Sequence, residues 1–345
     1  MTEVGDQKSD VRDRKSRRAP MNKKIIFLTL CSLVLAPCSA AEAQQTGKIA
    51  RIGLLDNSTA SGIAVLSEAL RQELSKLGWI EGKNIAIEYR FAERKNDRLP
   101  ELAAHLVRLK FDLIVVASNP SALAAKRATT TIPIVMTSAP DPVAAGLVAS
   151  LARPGGNVTG LSSLSPELNT KRLEILKDVV PKLARVGLLL GSATTSQLKE
   201  LRDAAPALKL KLEEIETQAD AKGLESAFQT AKQKLVGAIM TIVSRPFFSE
   251  RKRIVELADK HRLPAIHFQK EFVDEGGLMS YGADFEDLFG KAAHYVDKIL
   301  KGAKPADLPV QQATKFEFVV NLKAAKQINL SIPARVLERA NQVVK

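Results

Sequence analysis

Residues 131–163 read TIPIVMTSAPDPVAAGLVASLARPGGNVTGLSS, and the parsing of this stretch decides the fold. The β-branched, apolar run Ile132 to Thr137 predicts a buried strand. It ends in a small polar loop, Ser138-Ala139-Pro140-Asp141-Pro142. A short helical pattern follows, then a Pro154-Gly155-Gly156-Asn157 turn and a second strand, Val158 to Leu161. A polar loop between the carboxyl end of a parallel strand and the N-terminus of a helix is where open α/β sheets hold ligands, because free N–H groups converge there.

Upstream, the same unit repeats. Continuous apolar runs at Ile49 to Leu55 and Asp112 to Ala117, with an alternating run at Ile85 to Phe91, read as strands. Helical spacing between them marks Ile63 to Leu77, Arg98 to Leu109 and Ser121 to Ala128. A strand-helix alternation of this kind implies a parallel sheet with right-handed crossovers.

Downstream, a helix over Glu167 to Val180 leads into a second series. Strands are expected at Ala184 to Leu190, Leu210 to Ile215, Val236 to Val243, Ala265 to Phe268, Leu278 to Tyr281 and Phe316 to Asn321. Helices are expected at Gln197 to Leu208, Lys222 to Lys234, Glu250 to His261, Asp284 to Leu300 and Leu322 to Lys326, with a last one over Ala334 to Val344. The halves share a rhythm without a residue-level repeat, and 345 residues exceed what one core usually accommodates. Two α/β lobes are the expectation.

The first forty residues do not belong to that pattern. Met21-Asn22-Lys23-Lys24 followed by the apolar Ile25 to Leu35 and the small-x-small Ala41-Glu42-Ala43 has the form of an export signal, with cleavage expected after Ala43 and Met21 a plausible start. Both cysteines, Cys31 and Cys38, fall in this leader, so the mature chain is expected to hold no disulfide, thiol nucleophile or cysteine metal site. Lipid attachment at Cys38 is the weaker alternative, since Pro37 fits that processing signal poorly. The formal net charge is +13, and the leader removes eight Lys/Arg and five Asp/Glu, leaving a basic protein. Its cations are scattered among acids along helices, as in Lys291, Lys298, Lys301 and Lys304 with Glu286, Asp287 and Asp297. Solvated helix faces account for this better than a nucleic-acid surface does.

Catalytic signatures are weak. The histidines His105, His261, His267 and His294 are dispersed, with no metal-ligand pair at helical spacing, and only His267, at a strand end, is placed to face a cleft. No nucleophile elbow, phosphate loop or dinucleotide fingerprint occurs. Polar loops instead recur at strand ends: Asn57/Ser58/Thr59, Ser118/Asn119, Ser138/Asp141, Ser192/Thr194, Ser244 and Tyr281 to Asp284. Their hydroxyls, amides and free N–H groups suit a carboxylate, and Asp141 or Asp284 suits a ligand ammonium. Taken singly, each is more readily a helix cap; the recurrence is what makes a cleft the expectation.

The quoted stretch, together with HRLPAIHFQKEFVDEGGLMSYGADFEDLF, YVDKILKGAKPADLPVQQATKFEFVVNLKAAKQINLSIP and the leader, resembles the substrate-binding proteins of ABC importers, in the tryptophan/tyrosine-type group. The resemblance covers most of the mature chain. It implies a type I periplasmic-binding-protein fold of two Rossmann-like lobes with parallel sheets joined by a three-segment hinge. The implied lobes are residues 44–162, joined by about 284–315, and residues 163–283, with 316–345 as the third crossover and terminal helices. It implies a periplasmic monomer with no cofactor that closes on an aromatic amino acid or related carboxylate and docks on permease and ATPase subunits. Carried over by position, the ligand-binding residues are Asn57, Ser58, Ser118, Asn119, Ser138, Asp141, Ser192, Ser244 and Tyr281. Arg245 departs from the family pattern, where many relatives carry an acid, and favours a more anionic ligand. A ligand sensor for a membrane signalling protein and an exported α/β enzyme are the alternatives in other classes.

Overall fold

The computed structural model describes residues 49–191 and 198–345. The expected leader, with Met21, Cys31, Cys38 and Ala43, lies outside the described residues, as do Ser192 and Thr194.

From its start the chain lays down β1 (Ala50–Asp56), α1 (Ala64–Lys76), β2 (Ile85–Phe91), α2 (Leu99–Arg108), β3 (Leu113–Val116), α3 (Asn119–Ala128), β4 (Ile134–Ala139) and β5 (Val158–Ser162). Strands β3 and β4 are buried throughout, since helices cover both sheet faces; β3 therefore reads as an unbroken apolar run, while β4 runs on past the expected end at Thr137 to take in Ser138 and Ala139, which were read as loop. The helical pattern expected after Pro142 is instead a series of turns: Ala145 N donates to Asp141 O at 3.1 Å and Gly146, at φ +67°, breaks the run. Asn157 closes the following turn, its Nδ2 donating to Thr129 O at 3.1 Å and Ile132 O at 2.8 Å.

The second series comprises α4 (Ser165–Val179), β6 (Arg185–Leu190), α5 (Lys199–Ala204), β7 (Lys211–Glu216), α6 (Ala221–Gln233), β8 (Ala238–Thr241), α7 (Arg245–Ser249), α8 (Arg251–Lys260), β9 (Ala265–His267), α9 (Glu271–Asp274) and β10 (Met279–Ala283). The last part is α10 (Phe285–Leu300), β11 (Gln311–Gln312), β12 (Phe316–Asn321), α11 (Leu322–Gln327), α12 (Ala334–Leu337) and β13 (Gln342–Val344). Helix α7 falls where a loop was read; Ser244 caps it and Pro246 sits in its first turn. The helix expected over Ala334 to Val344 stops at Leu337. Asn341 Oδ1 accepts from Phe318 N at 2.7 Å and Asn341 N donates to Phe318 O at 2.8 Å, so β13 pairs parallel with β12. An open strand edge overrides the local helical spacing there.

Two sheets result. The first is six-stranded, in the order β11-β5-β4-β3-β1-β2, and the second is seven-stranded, in the order β13-β12-β10-β9-β8-β6-β7. Apart from β12 running antiparallel to β10, the pairings are parallel. In each sheet the order reverses at the first strand, between β1 and β3 and again between β6 and β8. Ligands of open α/β sheets sit outside such switch points.

The chain passes between sheets at Ser163-Leu164, at Asp284 and at residues 313–315. These crossings are bonded to neighbours: Ala313 N donates to Ser162 O at 2.8 Å, Asp284 N donates to Lys315 O at 3.0 Å, and Lys315 Nζ pairs with Asp284 Oδ2 at 2.6 Å. Helix α10 returns to the first sheet, packing on α1, β4 and β5 through Phe285, Leu288, Phe289, Ala292 and Val296. Trp79 Nε1 donates to Asp297 Oδ1 at 2.9 Å and fixes that return.

Candidate functional site

A cavity of about 750 Å³ opens between the carboxyl ends of the two sheets, at both switch points. The register of β1 on β3, Leu55 opposite Val116, brings the loop at Asn57 beside Ala117-Ser118-Asn119. The register of β6 on β8, Leu189 opposite Thr241, brings Gly191 beside Val243-Ser244-Arg245. All of these line the cavity, with Ser138 and Pro140 from the end of β4.

Each wall residue has a local reason for its place. Asn57 is buried, and its Nδ2 donates to Asn96 Oδ1 at 3.1 Å while its Oδ1 has no partner among the described residues. Ser118 caps α3, its Oγ accepting from Ser121 N at 3.3 Å. That orientation sets Asn119 in the first turn, with Oδ1 buried and without a partner among the described residues. Ser244 caps α7 in the same way, its Oγ accepting from Phe247 N at 3.4 Å.

Four expected positions stand differently. Ser58 is buried beneath the wall, its backbone N donating to Asp56 Oδ1 at 2.6 Å. Asp141 lies off the cavity, its Oδ1 accepting from Val143 N at 3.2 Å and Ala144 N at 3.0 Å as a turn cap. Tyr281 also lies off it: in β10 its ring packs edge-on against Phe318 at 6.0 Å and its carbonyl accepts from Arg172 Nη1 at 2.7 Å. Ser192 is outside the described residues. Asp284, read as a partner for a ligand ammonium, caps α10 through Asp287 N at 2.9 Å and pairs with Lys315.

His267 does not face the cavity. It is fully buried, with Nδ1 3.2 Å from Thr241 Oγ1 and its ring stacked on Phe272 at 4.4 Å. Burial, reinforced by the Arg172 cation, lowers its pKa to about 3, so it is neutral and serves packing.

The sequence reading missed two wall segments. One is Glu93 to Asp97 after β2, and the other is Thr217 to Asp220 after β7. Both are strand-end loops and fit the rule that found the others. Arg94 and Glu250 form an ion pair from one sheet's side of the cavity to the other's.

Arg245 is the charged side chain set into the wall. It is 2% exposed, and its Nη2 donates to Ser138 Oγ of the opposite sheet at 3.4 Å. Its guanidinium carbon lies 4.7 Å from the centroid of Phe285, 5.6 Å from Phe248 and 5.8 Å from Phe289. Nε and Nη1 have no hydrogen-bond partner among the described residues. Burial pushes the Asp56 carboxyl up, with Arg245 acting through space in the other sense. Asp56 Oδ2 also has no partner among the described residues, so the two groups are not hydrogen-bonded to each other. Among the described residues no group of three His, Cys, Asp or Glu side chains is placed to hold a metal ion.

Comparison with known proteins agrees with this architecture. The family model described as ABC transporter substrate binding protein matches residues 59–344. The Tyrosine-binding protein of Clostridioides difficile (strain R20291) is 32% identical over 266 residues, 74% of each chain. A Streptococcus pneumoniae structure described as an ABC domain in complex with L-Trp shares 27% identity, covering 86% of this chain and 99% of that one, with a TM-score of 0.78. The ligand-free, open structure of a substrate-binding protein with adhesive properties from Clostridium difficile matches with the same identity and the same coverages, but with a TM-score of 0.60. The chain is a two-lobed, mostly parallel α/β protein and belongs to the ABC transporter substrate-binding protein family.

Proposed function

We propose that this chain is the exported receptor of an ABC importer, a monomer that captures a small polar ligand between its lobes and presents it to a membrane permease. The observation that carries this reading is the cleft on both switch points, bridged from side to side by Arg245 on Ser138 and Arg94 on Glu250. At equal identity and coverage the chain superposes better on the L-Trp complex than on the open, ligand-free relative. An aromatic amino acid or related carboxylate is the ligand class in this reading, and residues do no chemistry on it. The first lobe is residues 44–162 with 284–315, the second is residues 163–283, and β12 and β13 complete the second sheet. Export by the leader places the receptor in the periplasm, and ATP hydrolysis on partner subunits drives release.

Thermal-shift titration of the processed protein tests this with amino acids, small carboxylates, sugars and polyols. A ligand at a hundred times its Kd adds about 2.7 kcal/mol of stability. Silence across the whole panel would sink the receptor reading.

A further inference from the structure

We propose that Arg245 is the anion-binding residue of the cleft and that the ligand is a small carboxylic acid whose other polar groups are neutral, not a zwitterionic amino acid. The proposal rests on the receptor reading and narrows its ligand.

Three features of the wall carry it. First, Arg245 lines the cavity, and its Nε and Nη1 are buried with no hydrogen-bond partner among the described residues. The flanking Phe285, Phe248 and Phe289 rings lie near the guanidinium carbon, and stacking takes up a guanidinium's faces and not its N–H hydrogen-bonding capacity. Two charged donors that protein groups leave unbonded, beside an Nη2 held only by Ser138 Oγ at 3.4 Å, suit the oxygens of a carboxylate. Second, the buried acceptors on the facing wall are neutral. Asn57 Oδ1 and Asn119 Oδ1 have no partner among the described residues, and an amide oxygen accepts equally from a ligand hydroxyl.

Third, the acids that line the cavity are poorly placed for an ammonium. Glu93 and Asp97 are exposed, and Asp220 Oδ1 accepts from Gly223 N at 2.7 Å as the cap of α6. Asp56 lies behind the wall, where burial favours its neutral form. An ammonium drawn inside would thus lose water, meet neutral oxygens and feel Arg245 as a like charge. Ala219, Val243 and Pro246 offer apolar surface to a carbon skeleton. A volume of about 750 Å³ accommodates an aryl acid.

The experiment is calorimetric titration of the processed protein with three matched pairs: 3-phenyllactate and L-phenylalanine, 4-hydroxyphenyllactate and L-tyrosine, indole-3-lactate and L-tryptophan. Each pair differs by a hydroxyl in place of the ammonium. At least one hydroxy acid binds about tenfold or more tightly than its amino acid, as expected when a charge meets no counter-charge. Arg245→Met, which keeps an unbranched side chain against the rings, abolishes that binding with the Tm unchanged or raised, and Arg245→Lys, which keeps the charge and loses the spread of N–H donors, weakens it in between. Amino acids binding as tightly as their hydroxy acids, or Arg245→Met binding like the wild type, would overturn the inference and leave the receptor standing. Binding of inorganic phosphate with none of the six acids overturns it equally. Silence of all six overturns it too, and only a silent general panel takes the receptor reading with it.

Discussion

Arg94, in the loop after β2, and Glu250, at the head of α8, form an ion pair that joins the two sides of the cleft. Their side chains are 34% and 19% exposed, so solvent screens the pair and its worth is about 0.2–1 kcal/mol. Glu250→Gln is therefore expected to shift the protein toward an open form and lower ligand affinity about two- to fivefold, an effect that shrinks as salt is raised. Small-angle scattering with titration calorimetry checks it. Unchanged affinity and dimensions would show the pair to be incidental to closure.

Gly62 supplies a second, steric contact between the sides. A Cβ there would collide with Ser249 Oγ of α7 and reach within 3.0 Å of Ser249 Cβ and Thr59 Oγ1. Gly62→Val is expected to hold the lobes apart and weaken ligand binding by about 1–3 kcal/mol, while the unliganded protein keeps its Tm. A larger radius of gyration with saturating ligand is the reading that supports this. A variant that closes normally would mean the helix yields instead.

His267 makes stability depend on pH in a defined window. Its folded pKa of about 3 lies below the 6.5 of an unperturbed histidine, so the unfolded chain binds the proton first. Its contribution is full above pH 6.5 and is lost as pH falls toward 3, at a limiting slope of about 1.4 kcal/mol per pH unit. Asp56 and Glu271, both raised by burial, work in the opposite sense. Comparing the wild type with His267→Leu isolates the histidine. The variant's unfolding free energy between pH 6.5 and 5 should be flatter by about that slope, and parallel curves would rule the effect out.

Arg172 is a second buried arginine with a structural duty. It is fully buried in α4, where Nη1 donates to Tyr281 O at 2.7 Å and Nη2 donates to Asn169 Oδ1, and burial lowers its pKa to about 9. Arg172→Ala leaves a cavity and strips Tyr281 O of a charged donor, so a loss of about 3–5 kcal/mol in denaturant unfolding is expected. A loss below about 1 kcal/mol would mean the site collapses or fills with water.

Much of the fold was legible because parallel strands covered on both faces must be apolar throughout. Leu113–Val116 is such a strand and lies inside the run Asp112 to Ala117, while the edge strand Ile85–Phe91 was marked by its alternation and Phe316–Asn321 also falls where it was expected. Where local and long-range preferences disagreed, pattern failed: residues 342–344 follow helical spacing yet pair with β12. The expected polar loops divide by what their neighbours need. Asn57, Ser118, Asn119, Ser138 and Ser244 reach the cavity wall, while Asp141 is held by its own turn and Tyr281 by Phe318.

By itself the sequence determined the alternation of strands and helices, the two-lobed plan and the kind of loop that meets a ligand, because these follow from hydrophobic period and capping chemistry within a few residues. Tertiary structure decided what lies across the cleft. Whether an arginine is a solvated charge or a buried donor waiting for a partner depends on Phe248, Phe285, Phe289 and Ser138, and Ser138 stands 107 residues from Arg245. No local pattern carries that information, since burial is set by which faces the sheets bring together.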